Sequence, residues 1–194
     1  IRQQTLRETI SWSYGLLNEA EQSVLRAASL FRSGFGFDAL VYMAGFPENQ
    51  NLEVVSSLVD KHLIQPDHGE DSRFSVLESI REFAMEQVLR LDEIEKLKKI
   101  YVQWFLLFSK QVDDGLKTSQ QAEWFKRIEQ DYSNILAAID WALAARAGDE
   151  TWKAGLAILD HLHRYWMLRM HFHQGEQYVT RARLSIEEYG YNHI

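Results

Sequence analysis

Only two prolines, Pro47 and Pro66, interrupt the 194 residues, and both fall before residue 70. Proline lacks the amide hydrogen that an α-helix uses, and its ring clashes with the turn before it. From Asp67 onward no residue of that kind stops a helix, so the greater part of the chain is free to form long helical segments. Aromatic residues, 12% of the total, supply bulky side chains to pack those segments together.

The apolar spacing agrees. Leu6, Ile10, Tyr14 and Leu17 recur at helical intervals over Thr5–Leu17. Asn18 followed by Glu21 is a capping-box pattern that opens a second helix over Ala20–Leu30. The stretch SGFGF breaks it, and Asp38 is positioned to cap a short third helix, Ala39–Ala44. GFPENQN reads as a loop, and Leu52–His62 as an amphipathic helix. Leu63–Gln65 and Arg73–Val76 then read as short strands on either side of the polar turn cluster PDHGEDS. Three helices followed by a small hairpin is the chain order of a winged helix. Within "RFSVLESIREFA" the alternation stops at Leu77 and helical spacing starts at Glu78. The returning wing strand therefore passes into a helix, Glu78 to about Leu91, that carries the chain out of the domain as a rigid lever.

Beyond Leu91 every segment reads as helix. Asp92–Val112 ends at Asp113-Asp114-Gly115, followed by Ser119–Gln130 and by Tyr132–Ala147, which Gly148-Asp149 closes. Thr151–Met170 and Phe172–Tyr189 form a last pair joined by a tight turn. The expected fold is mainly α: a winged-helix domain with a small β-hairpin over residues 1–90, then an α-helical bundle over 91–194 leading into tetratricopeptide-like repeats. One helix pair cannot bury both of its faces, so further repeats are expected to follow. A start at Ile1 rather than Met reads as a piece of a longer protein.

Charge narrows the function. With 21 Lys and Arg against 28 Asp and Glu, the formal charge is -7, which opposes attraction to nucleic acid or an anionic membrane. The absence of cysteine excludes disulfides and thiolate zinc sites and fits a reducing, cytoplasmic setting. No apolar run is long enough to cross a membrane. No Gly-Lys dipeptide occurs, so no Walker A loop is present and no cofactor is expected in this chain. His161-x-His163 and His171-x-His173 suggest a metal, but residues two apart on a helix point roughly 200° apart. No Gly-x-Ser-x-Gly elbow occurs either. The reading is a non-enzymatic regulatory segment.

A winged-helix DNA-binding transcription factor is the alternative. Its reader would be Asn51–His62, which sets Glu53 and Asp60 against a lone Lys61. Over Ile1–Met85 there are seven Arg and Lys against twelve Asp and Glu, and no bidentate arginine is offered to guanine. The aromatics, among them Trp104, Phe105, Trp124, Phe125, Trp141 and Trp166, read as helix packing. Tyr178, with Arg164 and Arg181, is the exception, expected in the concave groove where a repeat array holds a peptide.

The segments "RQQTLRETISWSYGLLNEAEQSVLRAASLF", "SLVDKHLI" and "RFSVLESIREFAMEQV" resemble bacterial signal-transduction ATPases of the NB-ARC/STAND class. "WFKRIEQDYSNILAAIDWAL" and "YWMLRMHFHQGEQYVTRA" extend the likeness more loosely. These large transcriptional regulators join a nucleotide-binding module to a winged helix and tetratricopeptide-like repeats. The resemblance implies that the winged helix packs on a nucleotide-binding module of the same parent chain, with ATP or ADP held there, and that the helical part mediates protein–protein contact in signal transduction. In eukaryotic relatives a Met-His-Asp motif at the wing-to-helix junction holds the phosphate of ADP through its histidine. Aligned on "IREFA", that motif falls on Val76, Leu77 and Glu78, and Leu77 has no hydrogen to donate. Val76, Leu77, Glu78 and Arg81 are the expected inter-domain contacts, with Glu78 capping its helix or pairing with Arg81 or Arg73.

Overall fold

The computed structural model describes residues 2–67, 73–145 and 149–188. They divide into two compact units, Ile1–Leu97 and Lys98–Ile194. The division falls beyond residue 90, where the sequence suggested it, because the chain just after residue 90 stays tied to the first unit. The buried Arg26 guanidinium donates to both carboxylate oxygens of Glu93 at 2.7 and 3.2 Å and to the Tyr14 hydroxyl at 2.9 Å.

The first unit runs α1 (Arg2–Gly15), α2 (Glu19–Ala28), β1 (Phe35–Gly36), α3 (Phe37–Ala44), α4 (Glu48–Asp60), β2 (Gln65–Pro66), β3 (Arg73–Ser75) and α5 (Glu78–Arg90). The strands make an antiparallel sheet in the order β1-β3-β2, with Phe35 opposite Phe74 and Pro66 on the other side of Phe74. Pro66 sits on an edge strand, the place in a sheet where a missing N–H does least harm. The sequence suggested two strands. The third, β1, lies in SGFGF, where the sequence predicts only a helix break. Phe31, Phe35 and Phe74 stack in a row at 4.7 and 6.4 Å and join the end of α2 to the sheet. Leu63 and Ile64, expected in the strand, are instead buried, and their N–H groups donate to the Leu58 carbonyl at 2.9 and 3.3 Å. The tip of the expected wing, residues 68–72, lies outside the described residues.

Helix α4 begins earlier than expected. Pro47 takes the N-cap position at φ -55°, and the buried Asn51 amide donates to the Phe46 and Pro47 carbonyls at 2.7 and 3.2 Å. Four of the seven residues of the apparent loop GFPENQN are thereby helical. Helix α5 does not continue into the next one. Its C-terminus closes with Asp92 at φ 55° and the Glu93 N–H donating to the Val88 carbonyl at 3.0 Å. Helix α4 ends the same way through His62 at φ 56°, with Leu63 bonding back to Leu58 at 2.9 Å. Both are Schellman-type ends built without glycine.

The second unit holds most of α6 (Ile94–Gly115), with α7 (Gln121–Leu143), α8 (Glu150–Leu168) and α9 (Phe172–Glu188). Helix α6 runs through Asp113-Asp114-Gly115, and the two helices expected over Ser119–Ala147 are one. Side-chain contacts fix the directions. Trp166 N–H donates to the Tyr132 hydroxyl at 3.0 Å while Gly155 meets Ala142, so α7 and α8 run antiparallel. Trp152 N–H donates to Ser185 at 3.0 Å while Trp166 stacks on Tyr178, so α8 and α9 do likewise. Tyr101, Phe105, Ile128, Ile135, Trp152 and Leu162 fill the core. Trp124 and Phe125 lie under the Arg127 and Arg169 guanidiniums, each 4.5 Å from its ring. No described helix is long and apolar enough to cross a membrane.

Two substitutions test this packing. A Cβ at Gly155 would come within 2.6 Å of the Ala142 Cβ, so Gly155→Val will destabilise the second unit by about 2 kcal/mol in denaturant unfolding. Met170, at φ 59° and 78% exposed, ends α8 in the left-handed region. Met170→Gly relieves that backbone at no packing loss and will stabilise the unit by about 0.5–1 kcal/mol.

Candidate functional site

In the first unit the surface of interest is the outer side of α4. Val54, Val55 and Leu58 turn into the core, and Asn51, the first residue of the expected reader, is fully buried. The exposed side carries Glu48, Asn49, Gln50, Leu52, Glu53, Ser56 and Asp60. The helix has no cation of its own, and Lys61, at its C-cap, is drawn to Glu21.

Glu21 was legible only as half of a capping box. The box is present: Glu21 N–H donates to the Asn18 side chain and Asn18 N–H to the Glu21 carboxylate, each at 2.9 Å. The same carboxylate, 3% exposed, also accepts from the Ser57 hydroxyl at 2.6 Å and from the Lys61 ammonium. One buried group thus clamps the start of α2 to the end of α4. Burial pushes the carboxyl up, but the bonds from Lys61, Ser57 and the Asn18 N–H outweigh it and leave the carboxyl below its ordinary value.

At the strand-to-helix junction, Val76 is half-buried while Leu77 and Glu78 are exposed. Leu77 occupies the N-cap position of α5, where no side chain caps the helix. Of the two roles expected for Glu78, the structure brings about pairing: Arg81 Nε donates to it at 2.9 Å. Arg73 turns away and donates to the Gly34 carbonyl at 2.7 Å. Hydrogen bonding from Arg81 lowers the Glu78 carboxyl, and the same bond raises Arg81.

The three residues expected in a groove separate. Tyr178 is 8% exposed and lies flat against Trp166, with ring planes 2° apart, so it belongs to the packing rather than to an open groove. Arg181 covers its ring at 5.2 Å and donates to Asp140 at 2.6 Å. Arg164 is elsewhere, 3.5 Å from Asp113. The histidines disperse as well: His161 meets Ser109 at 3.0 Å, and His171 lies against Tyr132 and Tyr165. Among the described residues no three His, Asp or Glu side chains gather as a metal site would need. An open groove does exist between α8 and α9, lined by Leu159, His163, Trp166, Met167, Phe172 and Val179 among others.

The chain is similar to proteins of Mycobacterium tuberculosis and Mycobacterium bovis that bear the name "Putative HTH-type transcriptional regulator", at 28% identity over 178 residues. The match takes in 90% of this chain and 20% of each relative, so the chain spans about a fifth of their length. A second Mycobacterium tuberculosis protein, named only "Uncharacterized protein", is 27% identical over 104 residues, 51% of this chain and 26% of its own length. None of these names mentions a nucleotide-binding module or a repeat. No family model and no solved structure matches.

Because the Glu21 carboxyl is held below its ordinary value near 4.5, its contribution to stability is complete above that value and is lost as pH falls through the lower, folded one. Denaturant unfolding across pH 3–6 will show stability of the first unit falling on acidification. Glu21→Gln will be less stable at neutral pH, by about 2 kcal/mol, with a shallower pH slope.

Proposed function

We propose that this chain is a non-enzymatic segment of a DNA-binding transcriptional regulator, its first unit a winged helix and its second a helical scaffold. The similarity to regulators named for a helix-turn-helix, running over 90% of the chain, carries this reading. The order α2-β1-α3-α4-β2-β3, with β3 between its two partners, supports the winged-helix assignment. In such a module α4 enters the major groove. Asn49, Glu53 and Ser56, on one exposed stripe of that helix, are the side chains with hydrogen-bonding groups for base edges.

A second reading follows from charge. Glu48, Glu53 and Asp60 face outward with no ion-pair partner among the described residues, and the adjoining Lys61 is engaged by Glu21. Phosphate contact needs cations, and this surface suits protein better. On this reading the unit is a regulatory clasp of the NB-ARC/STAND kind. It would pack through Val76, Leu77, Glu78 and Arg81 on a nucleotide-binding module of the parent, where ATP or ADP would sit. The second unit would be the tetratricopeptide-like contact for a protein partner.

Fluorescence anisotropy with labelled duplex DNA separates the two. DNA contact by the first unit predicts binding at about 50 mM salt that weakens at least tenfold by about 200 mM, with Asn49→Ala and Ser56→Ala reducing discrimination between sequences. Absence of binding at the lowest salt assigns the unit to protein contact.

A further inference from the structure

The groove between α8 and α9 has a volume of about 500 Å³. Leu159 forms part of its floor, and Met167, Phe172 and Val179 line it while remaining 51, 53 and 60% exposed. Isolated exposed apolar side chains are common, but several converging along one groove mark a binding surface. The groove is bounded by two helices, and its residues recur at helical intervals, Asp160 to Met167 on α8 and Phe172, Glu176 and Val179 on α9. Gly175 lets α9 approach α8: a Cβ there would stand 3.1 Å from the Trp166 ring.

The ionisable groups that line this groove are two carboxylates and one imidazole, Asp160, Glu176 and His163. Asp160 and Glu176 both line it and have no ion-pair partner among the described residues. Elsewhere in the unit Asp113, Glu129, Asp140 and Glu150 each pair with a lysine or arginine. An apolar trough edged by unneutralised negative charge complements an apolar stripe edged by positive charge. We propose that this groove binds a basic amphipathic helix of another polypeptide, its Leu-type residues on Met167, Phe172 and Val179 and its Lys or Arg on Asp160 and Glu176. This is helix-in-groove recognition. A second copy of this chain is a poorer occupant, because the protein carries a formal charge of -7 and each copy would bring the same carboxylates. The same charge disfavours an anionic lipid surface.

The test uses the 194-residue chain and a labelled helical peptide with leucines at i, i+3, i+4 and i+7 flanked by lysines, beside a matched peptide with glutamate for lysine. The lysine peptide will bind with a Kd of about 10 μM, and the glutamate peptide at least tenfold more weakly. The double variant Asp160→Asn, Glu176→Gln will weaken binding about fourfold or more and flatten its salt dependence. Val179→Asp, at an exposed position, will abolish binding with its thermal melting curve unchanged. Failure of the lysine peptide to bind, equal binding of both peptides, or indifference to Val179→Asp would each overturn the proposal. So would sedimentation showing self-association that Val179→Asp removes, since that would assign the groove to a second copy.

Discussion

A carboxylate buried in the first turn of α2 is the constraint on which the first unit depends. An ionised group costs far more to bury than any single hydrogen bond returns, so Glu21 is tolerable only with several donors aimed at it at once. It receives them from the Asn18 N–H, the Ser57 hydroxyl and the Lys61 ammonium, and it stands at the positive end of a helix dipole. Those donors come from two helices far apart in sequence, so satisfying the charge fixes where α4 lies. With α4 fixed, Leu63 and Ile64 enter the core and β2 starts beside β3. The same arrangement occupies Lys61, so the demands of folding and the charge of the α4 surface are one problem with one solution.

In the second unit the corresponding constraint is steric rather than electrostatic. Gly155 against Ala142 and Gly175 against Trp166 let α8 approach both neighbours closely. Close approach brings the polar edges of Trp152, Trp166 and Tyr132 within reach of Ser185, the Tyr132 hydroxyl and Gln174. Indole and phenol groups buried in this way need such partners, and finding them locks the helix register. Trp166 and Gly175 belong both to this packing and to the lining of the groove, whose more exposed part is Met167, Phe172 and Val179.

What the sequence revealed follows the range of the forces involved. The capping box at Asn18 and Glu21 and the start of α5 after Leu77 are local and legible, whereas Glu78, a candidate to cap its helix, pairs with Arg81 instead. Strand β1 was not, because two residues have no periodicity and Phe35 becomes a strand only by pairing with Phe74. Helix α7 was cut in two because the polar run around Asp131 resembles a boundary. There Asn134 donates to Asp131 at 2.9 Å in the interior, a buried polar pair that spacing rules count as surface. Left-handed helix ends are sought at glycine, and besides Gly45 this chain uses His62, Asp92 and Met170. Tyr178 was misjudged for a related reason: tyrosine at a helical interval looks the same whether it faces Trp166 or solvent. Nor does the spacing of Met167, Phe172 and Val179 reveal that they are half or more exposed.

The distribution of charge within each unit carries more functional meaning than its sum. Arg26, Lys61 and Arg81 in the first unit, and Lys117, Arg164, Arg169 and Arg181 in the second, are each spent on an internal carboxylate. The groups left facing outward with no ion-pair partner among the described residues include Glu48, Glu53 and Asp60 on one surface and Asp160 and Glu176 on another. A formal charge of -7 spread evenly over a protein of this size would be a weak field. The exposed carboxylates on α4 and along the groove add a local preference for cationic partners that acts within about one Debye length. Any DNA contact by this chain must overcome that preference, whereas a basic helix exploits it. The two surfaces therefore differ in what they demand of a partner: α4 requires cations supplied from elsewhere, and the α8–α9 groove requires only that its ligand bring them.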